Sequence, residues 1–95
     1  MATLYKANGE IRNIYPENGR KFTLEELCGL LDCSIVHEIS LKSFIDVLAV
    51  DGQDKIHCRR INRNATSLAH KNRAIRPDDF ISGDALYCAY NEIER

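Results

Sequence analysis

The residues best placed to do chemistry form a basic block. Lys55, Arg59, Arg60, Arg63, Lys71, Arg73 and Arg76 fall within residues 55–76, a stretch with no Asp or Glu. Clustered Lys and Arg neutralise phosphates and release their counterions, and Asn62 and Asn64 add side chains able to bond phosphate oxygens or base edges. The block therefore points to an anionic partner, with Lys55, Arg59, Arg60, Asn62, Arg63, Lys71 and Arg73 as candidate binding residues. The competing reading leaves these charges on a solvated connection and a short helix, neutralised by acidic flanks after folding. Both flanks are acidic in balance, and the chain has a net charge of -1. A nucleic-acid binder is usually basic overall and offers aromatic rings to stack bases, and this block has none. A protein partner is therefore expected ahead of nucleic acid, which stays as the alternative.

Catalytic and metal chemistry find less support. Cys28 and Cys33 are the only close cysteine pair, and His37, His57, Cys58 and His70 could add ligands. A structural zinc site normally brings two close pairs, whereas Cys28 falls on the apolar stripe of an expected helix and Cys88 inside an apolar strand. No metal and no cofactor are expected. His57 and Cys58, if on a strand, point to opposite faces and cannot form a nucleophile-base pair. Asp46, Asp51, Asp54, Asp78, Asp79 and Asp84 mostly fall in turns, where Asp bonds the backbone. The chain has no Walker loop, dinucleotide fingerprint or nucleophile elbow. A small enzyme or ligand sensor would need His37, Cys58 or Tyr87 to converge in one pocket.

The elements that must position these residues follow from turn chemistry and periodicity. Asn8-Gly9 joins strands over Thr3–Lys6 and Glu10–Tyr15 as a hairpin. Thr23 and Glu26 make a capping-box pattern for a helix over 24–32, with Leu24, Leu27, Cys28 and Leu31 on its apolar face. Ile35, His37, Ile39 and Leu41 alternate as a half-buried strand, placing His37 on its more apolar face. Phe44–Val50 reads as a more buried strand ended by Asp51-Gly52, and 56–61 as a further possible strand. Asn62 or Asn64 caps a short helix through Ala65, Leu68 and Ala69, and Ala85–Tyr90 is a buried strand. The fold class is α+β: a mixed or mainly antiparallel sheet of about five strands with two short helices, expected on one side of it.

Asn8-Gly9, the run from Asn18 to Leu27, Asp51-Gly52, Asn62 to Thr66, and Ile81 to Leu86 occur in an order that resembles a family of small uncharacterised domains. Those domains are encoded by phages and bacterial mobile elements. The resemblance implies an α+β domain in such a setting, with a Bacteroides-type host, and it carries over no activity.

The chain has 95 residues, 44% hydrophobic and 28% charged, enough for one domain spanning 1–95 and outside the regime of disordered chains. No signal-like or membrane-length apolar run is present, so a cytoplasmic protein with free thiols and no membrane partner is expected. A homo-oligomer through an exposed edge of the amino-terminal hairpin is a further expectation.

Overall fold

The computed structural model describes residues 2–41 and 45–95, and only the backbone of Lys55. Five strands make one antiparallel sheet: β1 (Ala2–Tyr5), β2 (Ile11–Ile14), β3 (Val36–Ser40), β4 (Asp46–Asp51) and β5 (Ala85–Ala89). Their spatial order is β2-β1-β5-β4-β3. The α+β architecture is the one the sequence implies.

The β1–β2 hairpin closes at Gly9, whose φ of 95° lies in the left-handed region open to glycine. The Asn8 side chain accepts the Glu10 amide at 2.9 Å and fixes the turn. Helix α1 (Leu24–Leu31) starts where the Thr23 hydroxyl accepts the Glu26 amide at 3.1 Å. The Glu26 carboxylate reaches back to the Glu17 amide at 3.0 Å, so it ties the preceding loop to the helix. Leu27 and Leu31 are buried, whereas Leu24, expected on the same face, is exposed at the first turn.

The stretch 56–61 departs from the expected strand. A short helix, α2 (Asp54–His57), occupies its start, and Cys58 leaves it in the left-handed conformation. Ile56 and Ile61 are both exposed, and of the stretch only Ile61 keeps an isolated antiparallel bridge, with Ser82. Helix α3 (Arg63–Lys71) follows, capped by Asn62 rather than Asn64. The expected strand over 44–50 is observed as β4, and Phe44 lies outside the described residues. After β5 a one-turn 3₁₀ helix, Tyr90–Glu92, leads to Ile93, which forms a parallel bridge with Phe22.

The helices do not share one side of the sheet. Val47, Ala49, Leu86 and Cys88 face a cluster with Leu27 and Leu31 of α1. Leu48, Val50 and Ala85 face a second cluster with Ala65 and Ala69 of α3. The continuous apolar runs of β4 and β5 are the mark of strands buried on both faces.

Candidate binding surface

Helix α3 owes its position to Asn62. This side chain is 0% exposed, and its oxygen accepts the Ala65 amide at 3.0 Å as a helix cap. Its nitrogen donates to the Tyr5 carbonyl at 2.7 Å and the Gly83 carbonyl at 2.9 Å. One amide thereby joins β1, the approach to β5 and the start of α3, leaving no group free for phosphate. Small Ala65 and Ala69 let the helix lie close on the sheet, and Leu68 fills the space beside them. The outward stripe carries Arg63, Asn64, Ser67, His70 and Lys71, all exposed.

The seven basic side chains of residues 55–76 divide by environment. Arg59 turns inward: its Nε lies 2.8 Å from Asp51 Oδ2, and its Nη2 donates to the Asp32 carbonyl. Asp32 ends α1, a helix with no basic residue in its last turn, so Arg59 supplies the cation there. Arg76 pairs at 3.6 Å with Asp78 on the surface. Arg60, Arg63, Lys71 and Arg73 are exposed and pair with no carboxylate among the described residues. Lys55 lies in α2, and its side chain is outside the described residues.

These four cations lie in pairs at the two ends of the α3 ridge. Arg60 and Arg63 line a cavity of about 130 Å³ with the hairpin residues Ala7, Asn8 and Gly9. At the other end of α3, about 13 Å away at 1.5 Å per residue, Arg73 takes a left-handed φ of 54°. Arg73 and Arg76 rim an open groove of about 650 Å³ together with His37 and Asp79, over Ile39, Val50, Ile75 and Phe80. His37, exposed, faces this groove from β3. His70 lies beside it, its Nε2 2.9 Å from the Asp79 carbonyl.

A buried polar node was not apparent in the sequence. Asp51, 1% exposed, accepts the Gln53 amide at 2.9 Å on one oxygen, while His57 Nδ1 lies 2.5 Å from the other, which Arg59 shares. Burial pushes the Asp51 carboxyl up, but the bonds from His57, Gln53 and Arg59 together outweigh it and leave it below its ordinary value. The Asp51 bond likewise raises Arg59. A turn aspartate and a histidine six residues later carry no pattern that would announce this pairing.

The node resembles an acid-histidine pair, but its carboxylate already bears an arginine. The neighbouring Cys33 thiol is pushed up by burial and by the Asp51 charge, away from the nucleophilic thiolate. Cys88 is pushed up to about 12 by burial. Tyr87 donates to Asp46 at 2.8 Å and lies two strands from His37, while Cys58 closes α2. Of His37, Cys58 and Tyr87, only His37 lines the open groove. Among the described residues, no group of three potential metal ligands occurs and no helix is long and apolar enough to cross a membrane. No family model, curated protein or solved structure matches the chain.

Proposed function

We propose that the chain is a non-enzymatic binding module, a cytoplasmic accessory protein of a phage or mobile element, that engages an acidic protein surface along α3. The observation that carries this reading is the set of four exposed cations, Arg60, Arg63, Lys71 and Arg73, without carboxylate partners among the described residues. Arg73 adds weight, because a left-handed backbone costs a non-glycine residue about 1 kcal/mol and a glycine would avoid it. A protein is favoured over nucleic acid because Ile39, Ile75 and Phe80 beside Arg73 suit a mixed apolar and acidic segment. The exposed stripe of α3 offers no Phe, Tyr or Trp ring for stacking bases.

The test is charge reversal at Arg60, Arg63 and Lys71, leaving Arg59 and Asn62 to hold the fold. Affinity capture from host lysate with wild type and triple variant side by side is expected to yield a protein retained only by wild type. An unchanged set of captured proteins overturns the reading. Labelled DNA or RNA bound by wild type with steep salt dependence, and lost in the variant, transfers it to nucleic acid.

A further inference from the structure

The outer edge of β2 carries an inference independent of the basic ridge. The Lys6 amide donates to the Glu10 carbonyl at 2.8 Å, which sets the alternation of the β1–β2 ladder. In antiparallel pairing, residues that bond inward alternate with residues that do not. Arg12 and Ile14 therefore bond to β1, while Ile11 and Asn13 turn their backbone N–H and C=O to the open edge. Among the described residues these outward groups meet no partner.

Natural sheets blunt such edges with charge, proline or bulges. The opposite edge is blunted: Arg95 grips the Glu38 carboxylate of β3 through two bonds, at 2.7 and 3.0 Å, and stacks 3.5 Å from the Tyr90 ring centroid. On β2 the one charge, Arg12, is occupied by Glu10. Ile11 is 56% exposed, and Tyr15, just past the strand, is 67% exposed.

We propose that this edge is a homodimer interface, two copies pairing antiparallel about a two-fold axis at Asn13 and extending each five-stranded sheet. An axis perpendicular to the sheet keeps the same face of both copies on one side, so only residues of equal parity oppose. Of the registers that satisfy this, those centred on Arg12 and on Asn13 place the axis in the interior of β2. Centring on Arg12 sets two guanidinium groups directly against each other, which is unfavourable. Centring on Asn13 sets Ile11 against the partner's Tyr15 twice, an aromatic and β-branched pairing that stabilises sheets. Asn13 and its copy then exchange both main-chain bonds, and each Arg12 faces the partner's Ile14 with its own Glu10 beside it. The backbone and side-chain patterns of this edge are complementary to themselves, which selects a second copy as the occupant.

Sedimentation equilibrium is expected to show a concentration-dependent dimer. Asn13→Pro removes an outward N–H that β1 does not use, and Ile11→Lys puts a charge on an exposed site. Each is expected to keep the far-UV circular dichroism of wild type and raise the dimer Kd about tenfold or more. In a Cys58→Ser background, Asn13→Cys is expected to form an intermolecular disulfide under mild oxidation, since bonded antiparallel pairs lie about 5.5 Å apart at Cα. Asn64→Cys on α3 is the control. A chain monomeric at millimolar concentration, a dimer unaffected by Ile11→Lys, or cross-linking of Asn13→Cys no faster than the control overturns the proposal.

Discussion

Asp51 concentrates more of the molecule's electrostatics than any of its turn aspartates would suggest. Its carboxyl, held below the usual 3.8 against the opposing pull of burial, links acidity to stability. A group with a depressed folded-state pKa stabilises the protein above its unfolded value. That contribution is lost as pH falls through the folded value. Wild type is therefore expected to lose stability below about pH 4, and Asp51→Asn to lose less over the same range. At pH 7 the substitution is expected to cost about 2 kcal/mol, the scale of hydrogen bonds to a charged group. Urea denaturation of both proteins between pH 7 and 2 measures this. Equal acid sensitivity would place the titrating group elsewhere.

At the scale of elements, Asn62 is the joint through which α3 meets the sheet. Asn62→Ala removes the cap and leaves the Tyr5 and Gly83 carbonyls without their donor, an expected loss of about 3 kcal/mol. Asn62→Asp keeps the capping oxygen but sets a carboxylate against two carbonyls, so it is expected to be at least as destabilising. Thermal unfolding of the two variants separates the cap from the joint: a benign Asn62→Asp would mean the cap alone matters. The cap itself was legible, since Asn62 precedes a run with Ala65, Leu68 and Ala69 at helical spacing. So were the Asn8-Gly9 hairpin and the Thr23 cap, because both depend on chemistry local to a few residues. The stretch 56–61 reads as a strand from Ile56 and Ile61, yet both lie exposed and only Ile61 makes an isolated bridge. Arg59 and Asn62 were grouped with the exposed cations because composition does not show which side chains turn inward. Their partners Asp32, Tyr5 and Gly83 are brought near only by the tertiary fold. The placement of helices on both faces had a signal, the unbroken apolar run from Val47 to Val50, that alternation in β3 obscured.

For the molecule as a whole, two apolar clusters share one sheet, so neither can loosen without exposing the strands of the other. Unfolding is expected to be a single transition, with circular dichroism and tyrosine fluorescence giving the same midpoint in urea. Leu86→Ala, in the fully buried middle of β5, is expected to cost about 3 kcal/mol, and Leu24→Ala, exposed on α1, less than about 0.5 kcal/mol. Separate midpoints for the two probes would divide the chain into independent units. The strand order has a consequence for a chain still being made. β5 comes last in sequence among the strands, yet it stands between β1 and β4. At about 5–20 residues per second, β5 leaves the ribosome several seconds after β1. Until then the two finished hairpins each present an inner edge with nothing between them. A nascent chain stalled before Ala85 would carry two adhesive edges and no complete core, the condition in which chaperones are needed most.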